Sequence, residues 1–116
     1  MSIERRRAPR INLLKPVPGR VGPEEQPIEV RQMSVGGMLI DTATQLSPLG
    51  LHEFSLALDD RTVTLVRGEI VHSRYTVDGS TVTYTFGVAF AQLPDDADER
   101  VRRFVAALQQ SGAKQA

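Results

Sequence analysis

The stretch TVTLVRGEIVHSRYTVDGSTVTYTFGVAF, residues 62–90, decides the fold. Thr62 to Arg74 is a long β-branched run, and Thr81 to Phe90 is a second. Asp78-Gly79 sits between them, and an Asp-Gly pair flanked by such runs is a strong hairpin signal. Thr81 to Thr85 alternates Thr with Val or Tyr, the period-two pattern of a strand with one wet face.

Working outward, the sequence keeps offering short strands. Glu53 to Leu58 alternates through Phe54, Leu56 and Leu58, and Asp59-Asp60 then turns the chain. Gln45 to His52 holds Pro48 and Gly50 and reads as a connection. Met38 to Ile40 is an apolar run. Before it, Ser34 to Gly37 is a turn in which two glycines permit backbone angles that other residues resist. Pro27 to Met33 reads as a strand with Ile28, Val30 and Gln32 on one side. Pro16, Pro18, Gly19, Gly22 and Pro23 mark a loop or an irregular strand end, after a short apolar stretch with Ile11, Leu13 and Leu14.

Only the end looks helical. Asp95, Asp96, Asp98 and Glu99 follow Pro94 and suit the positive end of a helix dipole. Ala97, Val101, Phe104, Val105 and Leu108 recur at helical spacing, with Arg100, Arg102 and Arg103 mostly off that stripe. Gly112 follows the last apolar position, where helices often stop. The expected fold is mainly β: a small antiparallel barrel of about six strands, with a C-terminal α-helix capping an apolar patch. Residues 1–9 are expected to be a flexible Arg-rich arm, 10–110 a single domain, and 111–116 a disordered tail.

A chain of 116 residues fits one such domain. Aromatic residues are 5% and Trp is missing, so Val, Leu and Ile must carry the packing. With no Cys, disulfides, thiolate catalysis and cysteine-ligated metals are excluded, and a reduced, cytoplasmic setting is expected. No apolar run approaches the length of a membrane span. Met1 to Arg10 offers no apolar segment of the secretory kind.

Lys plus Arg and Asp plus Glu balance at 14 each, yet the balance hides an asymmetry. Between Met1 and Gly22, Arg5, Arg6, Arg7, Arg10, Lys15 and Arg20 face a single acid, Glu4. A basic arm on a neutral body points to an anionic partner, although such arms also serve merely as solubilising tails. Catalysis finds little support. His52 and His72 lack metal-site spacing, and no nucleophile elbow or P-loop exists, so neither a catalytic residue nor a bound metal is expected.

Two segments carry the binding chemistry. Arg6 and Arg10 are separated by three residues including Pro9, which biases Ala8 toward an extended backbone. Guanidinium groups are planar, forked donors that clamp phosphates and stack on bases. The second segment is Gln32-Met33-Ser34-Val35-Gly36-Gly37. It offers an amide, a hydroxyl and a glycine backbone that a ligand can approach closely, though by itself it is an ordinary turn.

Together these segments resemble the PilZ domain family. Arg5-Arg6-Arg7-Ala8-Pro9-Arg10 is similar to the family's RxxxR arm, and Gln32 to Gly37 to its [D/N]-x-S-x-x-G motif. Gly87-Val88-Ala89-Phe90 is similar to its late-strand G-[VI]-x-F, and the closing helix fits as well. The likeness runs from Glu4 to about Leu108. It implies a six-stranded β-barrel with a helix and binding of the second messenger cyclic di-GMP as ligand, without any other cofactor. Arg6 and Arg10 would hold phosphates and guanine faces, Ser34, Gly36 and Gly37 would shape the floor, and Gln32 would read a guanine edge. Gln32 departs from the family's Asp or Asn: the amide survives, but the carboxylate does not. A cation at Arg5, just before the arm, implies two stacked cyclic di-GMP molecules per chain.

The resemblance thus implies a receptor that passes the nucleotide signal to a protein partner by ordering its arm. One alternative is a PilZ-like interaction domain that has lost nucleotide binding. Another is a small nucleic-acid-binding barrel, but that predicts aromatics interleaved with the basic residues. Here Phe54, Tyr84, Phe86 and Phe90 are far from the arm in sequence.

Overall fold

The computed structural model describes residues 10–110. Arg5 and Arg6, the arm and the tail lie outside the described residues. Six strands and one helix follow in order: β1 (Ile11–Val21), β2 (Gln26–Ser34), β3 (Gly37–Thr42), β4 (His52–Leu56), β5 (Thr64–Asp78), β6 (Thr81–Phe90) and α1 (Asp95–Gln110). The strands close into a barrel in the order β1-β2-β3-β6-β5-β4, and every neighbouring pair is antiparallel.

The β5–β6 hairpin forms where the Asp-Gly signal lies, but it reaches further than the β-branched runs. β5 continues past Arg74 to Asp78, which pairs with Thr81. The turn is therefore Gly79-Ser80, with Gly79 at φ 62°. A left-handed first central residue is the pattern of a type II′ turn, whose twist suits a hairpin.

Register shifts decide one expectation and correct another. Of the two readings of the Pro/Gly-rich segment, the irregular strand end holds: β1 runs through Pro16 and Pro18 to Val21, and Gly22-Pro23 enter the turn that follows. The β1–β2 register shifts between Asn12 and Val17, so Pro16 sits where no ladder bond is required of it. Pro18 serves through its carbonyl, which accepts from the Ala57 N–H at 3.1 Å. In β2, Val30 pairs with Ile40 and Gln32 with Leu39, which makes Arg31 a bulge residue. The bulge flips the alternation. Ile28, Val30 and Met33 are buried, whereas Gln32 leaves the side it was expected to share with Ile28 and Val30.

Inside the ring, Ile11, Val30, Met33, Ile40, Phe54 and Leu56 are fully buried. α1 seals this core with Ala97, Val101 and Val105, while Phe104 and Leu108 pack at its margin. Asp98–Arg102 and Glu99–Arg103 pair along the exposed face at 2.9 and 3.1 Å. Exposed pairs of this kind contribute only about 0.3–0.5 kcal/mol each, so the apolar stripe seats the helix. Among the described residues, no helix is long and apolar enough to cross a membrane.

The glycines before β3 act differently from the expectation. Neither Gly36 nor Gly37 is left-handed. Gly37 opens β3 opposite Ala89, and a Cβ there would press on the Val88 carbonyl oxygen. What the position requires is close strand approach. Gly37→Ala is accordingly expected to destabilise the domain by about 1–3 kcal/mol in urea unfolding, as overpacking does. Unchanged stability would show that β6 yields at no cost.

Candidate functional site

The bulge at Arg31 builds the outer face of the barrel. Through the strand registers, Asn12, Gln32, Leu39, Gly87 and His72 form one row across β1, β2, β3, β6 and β5. Glu29, Asp41, Thr85 and Arg74 form the neighbouring row. A groove of about 600 Å³ lies over these rows, bordered by Asn12, Arg31, Gln32, Asp41, Arg74 and Thr85.

Its polar groups are already oriented. Gln32 Nε2 donates to Asn12 Oδ1 at 2.7 Å, which leaves the Gln32 carbonyl to accept and the Asn12 amide to donate. Thr85 Oγ1 donates to Asp41 Oδ1 at 2.6 Å, and Arg31 Nε lies 3.7 Å from Asp41 Oδ2. Among the described residues, Arg74 has no acidic partner. The groove therefore offers one unpaired guanidinium, one shared with Asp41, and an amide pair held by itself.

Arg10 is exposed and stands immediately before Ile11, which pairs with Met33. That register brings Arg10 to the end of β2 where Ser34 begins the turn. Ser34 is buried, and its Oγ accepts the Gly36 N–H at 3.2 Å, so the hydroxyl braces the turn. The Gly36 carbonyl accepts from Phe90 N–H at 2.9 Å, which ties the turn to β6. Arg10, Gln32, Ser34, Gly36 and Gly37 thus gather around one end of β1, β2 and β3. Asn12, Arg31, Asp41, Arg74 and Thr85 join the groove without any sequence signal. Asp41 and Thr85 are 44 residues apart, and only the β3–β6 register brings them together.

The histidines hold structural places. His52 Nε2 lies 2.7 Å from the Ser47 carbonyl oxygen, and His72 covers Gly87. Among the described residues, no cluster of acidic or His side chains is arranged to hold a metal. Phe54, Phe86 and Phe90 are core residues, so they supply no exposed stacking platform beside Arg10. Another cavity, about 560 Å³, lies between Gly22-Pro23 and Leu93-Pro94, where its Arg67 is paired with Glu53 at 3.2 Å.

A search of curated protein sequences returns no significant match. Solved structures share the fold. The PilZ domain of YcgR from Escherichia coli, solved with c-di-GMP, matches with a TM-score of 0.71 at 17% identity, over 93% of this chain and 94% of that one. MrkH from K. pneumonia in its apo state matches with a TM-score of 0.74 at 18% identity, over 89% of this chain and 50% of that one. The Bacillus subtilis inhibitor of motility, MotI/DgrA, matches with a TM-score of 0.67 at 15% identity, over 92% of this chain and 52% of that one. The chain therefore spans about half the length of MrkH and MotI. The PilZ domain model matches residues 4–107, and with that match and the closed six-stranded ring this chain belongs to the PilZ domain family.

Proposed function

We propose that this PilZ domain is a receptor for cyclic di-GMP, acting in the cytoplasm and without catalytic activity. The observation that carries the reading is the Ile11–Met33 pairing, which sets Arg10 beside the Gln32-to-Gly37 segment. A forked cation next to an oriented amide suits a ligand with phosphates and flat, hydrogen-bonding bases. Arg6, together with Arg10, holds phosphates and guanine faces, while Gln32 presents its carbonyl to a guanine edge. Ser34, Gly36 and Gly37 form the floor beneath them.

The signal is passed on when the ligand draws residues 1–9 onto the barrel and creates a surface for a protein partner. Fixing backbone costs roughly 1–2 kcal/mol per residue. Charge-assisted contacts return about 1.5–3 kcal/mol each, so several are needed, which is a role for Arg5, Arg6 and Arg10 together. Arg5 supports a second nucleotide by offsetting the repulsion between stacked phosphates.

One observation favours a second reading, a PilZ domain that no longer binds nucleotide. The Gln32 amide is already engaged by Asn12, and its carboxylate counterpart is missing. Calorimetry separates the two. Under the receptor reading, cyclic di-GMP binds with micromolar or tighter affinity, about −8 kcal/mol or better, and saturates at two equivalents. Arg6→Ala and Arg10→Ala each weaken binding by about 1.5–3 kcal/mol, and Arg5→Ala moves the stoichiometry toward one. No heat, and no shift in melting temperature at about 100 μM ligand, would sink this reading.

Substitutions at the amide pair test who reads the base. Gln32→Ala is expected to weaken binding by about 1 kcal/mol, and Asn12→Ala to act in the same direction by freeing the amide to rotate. Gln32→Asp should hold or improve affinity. Equal affinities for all of these proteins would remove Gln32 from the site, whereas binding gained only in Gln32→Asp would favour the second reading.

A further inference from the structure

The β5–β6 hairpin outruns the barrel. β4 accompanies β5 only from Thr64 to Gly68, whereas β6 stays with it to Asp78. Among the described residues, no strand lies along the other edge of β5 beyond Gly68. Every residue from Val71 to Asp78 is exposed, including Tyr75 at 66% and Val77 at 61%.

Hairpin geometry tells which backbone groups are bare. The closing pair of a two-residue hairpin, here Asp78 and Thr81, exchanges hydrogen bonds across the ladder, and every second pair does the same. Thr76 and Arg74 are therefore spent on β6. The intervening Tyr75 and Val77 turn their N–H and C=O to the open edge. From Ser73 to Asp78 this edge carries no Pro, no Lys and no bulge, the usual devices that stop another strand from adding.

We propose that this edge pairs with the same edge of a second copy of the chain, antiparallel about Thr76, extending the sheet across a two-fold axis. The outward groups restrict the register to Tyr75 and Val77 facing their counterparts. Centring on Thr76 sets Tyr75 opposite Val77 of the second copy, an aromatic on a β-branched residue, twice. The same register sets Arg74 opposite Asp78 of the second copy, also twice. Sliding by two residues places Arg74 opposite Thr76 or Ser80 and loses both Arg–Asp pairs. Charge complementarity thus selects one register, and the sequence supplies it to itself. Gln45, Leu46 and Pro48 border a cavity with Ser73, Arg74 and Tyr75 at the base of the hairpin, which confines the pairing to a short stretch and makes the dimer a reversible one.

Sedimentation velocity over a concentration series, without nucleotide, tests this. The expected result is a reversible monomer–dimer equilibrium. Arg74→Asp or Asp78→Arg alone should weaken it about tenfold or more, and the double swap should restore it, which a purely apolar association would not do. Val77→Pro removes an N–H that faces only the open edge, so it should abolish the dimer while circular dichroism shows an intact melting transition. A chain that stays monomeric throughout, a double swap as weak as either single variant, or a dimer that survives Val77→Pro would each overturn the proposal.

Discussion

A single surplus residue in β2, Arg31, governs which side chains the barrel hides and which it shows. Strand side chains alternate between faces, so one inserted residue exchanges the faces for everything after it. Without the insertion, Gln32 would follow Ile28 and Val30 inward, and an unpartnered amide in an apolar core costs several kcal/mol. With it, Met33 enters the core and Gln32 meets Asn12 on the outer face. The core and the candidate site therefore rest on the same irregularity.

A second insertion works in the same way on the far side. The β5–β6 register shifts at Val71, between Ile70 and His72. Before it, Thr64, Val66 and Gly68 point inward; beyond it the strand is exposed on both sides. Tyr84 lies half-buried there, its ring 6.2 Å from Tyr75 and stacked 6.3 Å from Phe86. This aromatic ladder joins the projecting hairpin to the closed core.

The parts legible in the sequence were those that local chemistry decides alone. Asp78-Gly79 announced the hairpin, and the Ala97, Val101, Val105 stripe announced the helix, because turn chemistry and helical periodicity act over a few residues. Pro16 and Pro18 left a loop and an irregular strand end both open, since their strand is tolerated by a register shift that exists only once β2 is in place. Ser34 and Gly37 were legible as a motif, while their packing roles were not. The hydroxyl braces its own turn, and the glycine admits the β6 backbone. Asn12, Arg31, Asp41, Arg74 and Thr85 were invisible because each comes from a different strand or turn of the register, and nothing local marks them.

Ring closure has one more consequence. The final joint pairs Gly19–Val21 with Phe54–Leu56 and is extended by the Pro18–Ala57 and Gly22–Glu53 backbone bonds, whereas β5 and β6 run together from Gly68 to Asp78. That joint has the shortest ladder of the ring, and the buried Val21, Phe54 and Leu56 hold it from the core side. β1 is also the strand that continues directly from Arg10. Any tension applied at that residue is transmitted along a strand whose other end lies at the shortest ladder of the ring.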